Sequence, residues 1–123
     1  MRYPVSGSTT MGITGIGNVT MRNLMGATIT GSRALWLRYV GITTVTGGMQ
    51  QILLCDTTIG AATSAFATNV KCAITCPSGP TGYTVTQEFV EPGLKFTSGC
   101  AVTLISGGTA TIASYIFGCG YEE

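Results

Sequence analysis

The sequence predicts an all-β fold, an antiparallel β-sandwich or jelly roll carrying an extended N-terminal arm. Three observations lead there. Short apolar runs of five to eight residues recur between Gly and Pro turn signals, and no run shows the 3.6-residue period of a helix. The chain holds 18 glycines and is rich in threonine, whose branched Cβ packs well on a pleated surface. Only 9% of residues are charged, against about 25% in ordinary globular chains.

Residues 1–22 stand apart. Glycine recurs at 7, 12, 15 and 17, and Met11, Ile13, Ile16 and Val19 are isolated among polar neighbours. A disordered tail would carry more charge and less Ile, Val and Met. The segment therefore reads as an arm that gains order against a partner, with a reach of roughly 70 Å when extended. Residues 23–123 read as the β-domain.

Within that domain Leu24–Thr30 is a short Thr-rich strand. Ala34–Val40 alternates Leu35, Leu37 and Tyr39 against Trp36, Arg38 and Val40, and continues through Ile42–Thr46. Gly47-Gly48 breaks the chain before Gln51–Asp56, an apolar run of buried-strand length. A small-residue loop spans 57–69. Val70–Cys76 follows, with Cys72, Ile74 and Cys76 on its apolar face. The run Pro77-Ser78-Gly79-Pro80-Thr81-Gly82 forbids a continuing ladder. Tyr83–Phe89 alternates again, Glu91-Pro92-Gly93 turns, and Leu94-Lys95-Phe96 is a short strand. The last two strands, Ala101–Ser106 and Thr109–Phe117, are expected to form a hairpin about Gly107-Gly108.

Catalytic chemistry is scarce in this composition. There is no histidine and there are five carboxylates in 123 residues. A Ser or Cys nucleophile has no adjacent base in a recognisable motif, and no dinucleotide or phosphate-binding glycine pattern occurs. Glu88 and Glu91 read as a solvated strand edge rather than a glycosidase pair. The expectation is a non-enzymatic protein without cofactor or metal. Cys55, Cys72, Cys76, Cys100 and Cys119 make an odd set without zinc spacing, and Cys72 and Cys76 would stand about 13 Å apart on one strand face. Free, mostly buried thiols are expected, with a Cys72–Cys100 cross-strand bridge as the alternative.

The net charge of +1 argues against nucleic acid as a partner. The distribution is uneven: residues 1–55 contain four arginines and no acid, whereas residues 56–123 contain two lysines and five acids. Sparse arginines suit ion pairs at protein interfaces. Apolar runs are too short for a bilayer span or a signal peptide, so synthesis in the cytoplasm and no membrane partner are expected.

Gln51–Tyr115 resembles a class of small bacteriophage virion proteins. The resemblance rests on Leu53-Leu54-Cys55-Asp56, a small-residue loop, a strand ending at Phe89, then Gly93-Leu94-Lys95-Phe96-Thr97-Ser98-Gly99, Val102–Ile105 and Gly107-Gly108-Thr109. It covers about half the chain and implies a jelly-roll cement (capsid decoration) protein sitting as homotrimers on the capsid exterior. Such a protein would bind the major capsid protein and bridge capsid subunits. Composition then nominates Arg2, Ile13, Ile16, Val19, Arg22, Arg33, Trp36 and Arg38 as the shell contacts. The alternative is a tail- or fibre-associated β-sandwich that binds carbohydrate or a receptor through Trp36 and the tyrosines.

Overall fold

Alternating apolar and β-branched residues, interrupted every few positions by glycine, leave the backbone no regular partner except another strand. The computed structural model describes residues 1–13, 17–18, 22–25, 33–44, 50–57, 69–76, 84–106 and 112–123. These contain ten strands and no helix: β1 (Tyr3–Ile13), β2 (Gly17–Asn18), β3 (Arg22–Met25), β4 (Leu35–Thr44), β5 (Gln50–Asp56), β6 (Val70–Cys76), β7 (Thr84–Glu88), β8 (Leu94–Phe96), β9 (Cys100–Ser106) and β10 (Ile112–Glu122).

Two antiparallel sheets result. The first, sheet A, has the order β1-β10-β4-β7, with β8 also pairing β4. The second, sheet B, has the order β2-β9-β5-β6, with β3 also pairing β9. The two orders match position by position. Each strand of sheet A is joined in sequence to the strand at the same place in sheet B: β1 to β2, β10 to β9, β4 to β5, β7 to β6. Pairing resumes on both sides of each crossing, as in Ile13↔Ile112 followed by Gly17↔Ser106, and Thr43↔Thr84 followed by Gln50↔Cys76. Four antiparallel runs thus pass together from one sheet to the other and wrap around a common interior. That is the jelly-roll arrangement.

The interior draws on both sheets. Leu35, Leu37, Val40, Ile42, Phe96 and Ile116 come from sheet A, and Leu24, Met25, Ile52, Leu54, Ile74, Cys100 and Val102 from sheet B. Cys72 and Ile74 of β6 face it together, as alternation predicts. At one side the sheets nearly touch: a Cβ on Gly7 of β1 would lie 2.1 Å from the Leu24 carbonyl oxygen of β3, so only glycine fits there.

The segment read as an arm takes a definite form over Tyr3–Ile13. It is β1, paired with β10 at every residue from Tyr3↔Glu122 to Ile13↔Ile112 without a register shift. An edge strand needs an apolar residue only at every second position, the one that meets the core. Val5, for example, packs against the core cluster.

Two local expectations are overturned. The β9–β10 hairpin does not form: β9 lies in sheet B against β5, β2 and β3, while β10 lies in sheet A between β1 and β4. A glycine pair reports that the chain turns. Which strand becomes the neighbour is settled by the longer ladders β10 makes with β1 and β4. Gly107 and Gly108 themselves lie outside the described residues, as do the 77–82 turn, most of the 57–69 loop and all of the strand expected over Leu24–Thr30 except Leu24 and Met25, which belong to β3.

The strict alternation of β4 also fails. The register with β10 shifts so that Cys119 faces Tyr39 and Gly120 faces Leu37, leaving Arg38 as an extra residue. This bulge reverses the parity beyond it. Val40 and Ile42 join Leu35 and Leu37 in the interior, and Tyr39 turns outward on the same face as Trp36.

The motifs that carry the virion-protein resemblance meet in space. Asp56 ends β5, and its carboxylate accepts hydrogen bonds from Thr97 N (3.1 Å to each oxygen), Thr97 Oγ1 (3.1 Å), Ser98 N (2.8 Å) and Gly99 N (3.4 Å). Partial burial alone would raise the pKa of this carboxyl, but the amides of Ser98, Thr97 and Gly99 and the Thr97 hydroxyl together hold it below the ordinary value. The Leu-Leu-Cys-Asp and Gly-Leu-Lys-Phe-Thr-Ser-Gly runs are therefore two halves of one device. It pins the crossover by which the chain leaves β8 in sheet A and enters β9 in sheet B.

Candidate interaction face

The outer surface of sheet A gathers five of the described aromatic side chains. On β10, Tyr115, Phe117, Cys119 and Tyr121 alternate with Ile116, Gly118 and Gly120. On β4 the bulge at Arg38 brings Trp36 and Tyr39 onto the same surface. The rings form two groups. Tyr115 and Phe117 have centroids 6.1 Å apart, and Phe117 and Tyr39 5.7 Å apart. Trp36 and Tyr121 stack with centroids at 6.5 Å and planes 20° apart. All three separations suit offset or tilted aromatic contact.

Phe117 can lie flat because its cross-strand partner is Gly41, where a Cβ would stand 2.2 Å from the ring. Around the rings the exposed positions are Ser6, Ser8 and Thr10 on β1 and Thr84 and Thr86 on β7. Thr43 and Thr84 join their hydroxyls across the strands at 3.1 Å.

Charge collects at one end of this face. Arg2 Nη2 pairs with Glu91 Oε1, and its Nε donates to Glu123 Oε2 at 2.9 Å. The same guanidinium lies 4.2 Å from the Tyr121 ring centroid. Arg38 Nη1 approaches Glu91 Oε2 at 3.1 Å as an ion pair without hydrogen-bond alignment. Arg33 sits 3.9 Å from Glu122 and covers the Tyr3 ring at 4.2 Å. Lys95 lies 5.4 Å from the Trp36 ring. The Tyr121 hydroxyl donates to the Pro92 carbonyl at 2.8 Å, which holds the 91–93 turn against the sheet.

The electrostatics follow. Hydrogen bonds to Glu91 and then Glu123 raise the pKa of the Arg2 guanidinium, and Arg2 in turn holds the Glu91 carboxyl below its usual range. Desolvation pushes the Tyr121 phenol up. Two open clefts flank Arg38. One of about 340 Å³ is lined by Pro4, Ser6, Cys119 and Tyr121, and one of about 580 Å³ by Tyr39, Glu88, Phe89 and Glu91.

The structure brings Arg2, Arg33, Trp36 and Arg38 of the nominated contacts to this face. Three of these arginines are engaged within the chain, so the basic first half of the sequence is largely paired with the acidic second half. Arg22 lies apart, exposed on β3 of sheet B. Ile13 ends β1, and Ile16 and Val19 lie outside the described residues. The expected shell contacts omit Tyr39, Tyr115, Phe117 and Tyr121, although the sugar-binding alternative draws on the tyrosines as a group. The period-two spacing of 115, 117 and 121 was visible in the sequence, whereas Tyr39 needed the bulge.

Cys55, Cys72, Cys100 and Cys119 are free thiols, so the alternative Cys72–Cys100 bridge is not formed; the Cys76 side chain lies outside the described residues. Burial pushes the Cys100 thiol up to about 12. Cys119 is exposed on the outer face. Among the described residues no group of three or more Cys, Asp or Glu side chains could hold a metal ion. No protein-family model matches the chain, and no curated protein sequence matches it.

Proposed function

We propose that this protein is a non-catalytic virion structural protein of the cement type, which stabilises an icosahedral head by bridging capsid subunits. The observation that carries this reading is the outer face of sheet A. It gathers the rings of Tyr39, Tyr115 and Phe117, is uncharged around Tyr115 and Phe117, and carries Glu88 opposite Tyr39 at its margin. A Thr, Ser and aromatic surface loses little on dehydration compared with one of Lys and Glu, and aromatic residues are enriched at the centres of protein interfaces. The jelly-roll topology supports the reading as an architecture that capsid proteins use, although lectins and cupins use it too.

In this mechanism no bond is made or broken. Each copy adds buried area across a capsomer boundary, and a contact of about 1,600 Å² is the size of a standard stable interface. Many copies acting together resist the outward pressure of packaged DNA. The test is reconstitution: purified protein is added to undecorated shells, and copy number and release temperature are measured. Hundreds of copies per particle with a raised shell melting temperature are expected. A few copies, or none, would refute the reading.

A second reading has an observation of its own. The Arg38 bulge places Trp36 and Tyr39 on one face beside the cleft that holds Glu88, as a tail- or fibre-associated sugar- or receptor-binding domain would need. Reproducible glycan-array binding, lost in Trp36→Ala or Tyr39→Ala, would favour this reading over the first.

A further inference from the structure

Four sheet edges are present in the described residues, and three of them are guarded. The β7–β8 edge is split into five and three residues by the 89–93 turn and carries Glu88 and Lys95. The β2–β3 edge is split into two and four residues and carries Arg22. The β6 edge is seven residues long and carries Lys71. Breaks, prolines and charges of this kind are how natural sheets prevent edge-to-edge pairing.

Among the described residues the β1 edge has none of these defences beyond Pro4 at its start. It is eleven residues long, keeps unbroken register with β10, and contains no charge and no further proline from Val5 to Ile13. β3 lies beneath β1, at Gly7, rather than beside it. Backbone groups on the outer side of such a strand are a ready template for another strand of equal length and neutrality.

We propose that β1 pairs with β1 of a second copy of this chain, antiparallel about a two-fold axis, so that sheet A runs continuously through both copies. The occupant follows from the comparison of edges: among the four, only β1 itself is long, unbroken and uncharged. A two-fold axis at Ser8 sets Ser8 opposite Ser8 and Ser6 opposite Thr10 on the outer face, pairing small hydroxyl side chains whose cross-strand contacts are favourable. Full overlap supplies about ten inter-strand hydrogen bonds. It also joins the two neutral aromatic surfaces around Tyr115 and Phe117 across a strip of Ser and Thr. The pairing stands on the edge itself and does not depend on whether the chain decorates a shell.

The experiment uses the full chain. Sedimentation up to concentrations on the order of 100 µM should show a monomer–dimer equilibrium. Hydrogen exchange should slow by about tenfold, as concentration rises, at the alternate β1 amides that point away from β10. A triple lysine variant (Ser6→Lys, Ser8→Lys, Thr10→Lys) changes only exposed positions and sets like charges opposite one another in every register whose axis lies from Ser6 to Thr10. It should sediment as a folded monomer. The matching triple glutamate variant should do the same, and a mixture of the two should restore the dimer. A wild-type chain that stays monomeric overturns the proposal, as does an oligomer, three-fold or otherwise, that the lysines leave intact. Should the lysine variant fail to fold, the wild-type exchange measurement decides alone: β1 amides indifferent to concentration refute the pairing.

Discussion

Replacing Asp56 with alanine removes the pin between β5 and the 97–99 crossover, and its cost can be worked out from the contacts. Of the hydrogen bonds to the carboxylate, Ser98 N at 2.8 Å is strong, Thr97 N is shared between both oxygens, and Gly99 N at 3.4 Å is weak. Together with the Thr97 hydroxyl they amount to roughly three effective bonds. At a site open to water each contributes about 1 kcal/mol net, so the loss is about 3 kcal/mol. An unfolding entropy of about 2.1 cal/mol/K per residue over this chain converts that to a fall in melting temperature of roughly 12 °C.

The pH dependence has a definite sign. The folded-state pKa of Asp56 lies below its unfolded value, so its stabilisation is fully present above the unfolded pKa near 4 and is lost as pH falls through the folded value. Wild-type protein should therefore lose stability steeply in acid. Asp56→Ala should show a shallower acid limb, with the two curves converging at the lowest pH. Calorimetry or circular dichroism melts from pH 7 to pH 2 measure both effects. A change in melting temperature at pH 7 of less than about 3 °C would refute the assignment of the carboxylate as the pin.

Other outcomes follow from the packing. Phe96→Ala empties a fully buried site between the sheets and should cost about 3–5 kcal/mol in denaturant unfolding, without changing the fold seen by circular dichroism. Gly41→Val places a side chain where the Phe117 ring now lies; near-ultraviolet circular dichroism should report the displaced ring, and stability should fall by about 1–3 kcal/mol. In native protein a thiol reagent should modify Cys119 quickly and leave Cys55 and Cys100 unmodified until the chain unfolds. Deleting residues 1–13 removes β1 and bares one side of β10, so cooperative unfolding should be lost; a truncated protein melting like the intact one would return the segment to the status of a separable arm.

The all-β class and most strand positions were determined locally. Val70–Cys76 and Leu94–Phe96 lie where alternation and turn residues set them, because the two-residue period and the ring of proline act within a few bonds. The scarcity of charge and the absence of histidine were equally plain from composition. The partners of each strand were not. A Gly-Gly turn looks the same whether the next strand returns beside its predecessor or crosses to the opposite sheet, and only the ladders of β10 with β1 and β4 decide between them. Likewise Tyr3–Ile13 reads as an extended arm until β10 is set beside it, since this edge strand takes its order from a neighbour about a hundred residues away. The outer aromatic face depends on Arg38 having no partner on β10, a register shift that no alternation rule contains. The ion pairs of Arg2 with Glu91 and Glu123 join the chain's beginning to its end. Short-range sterics and hydropathy are written in the sequence, but contacts between distant segments become definite only when the whole interior closes.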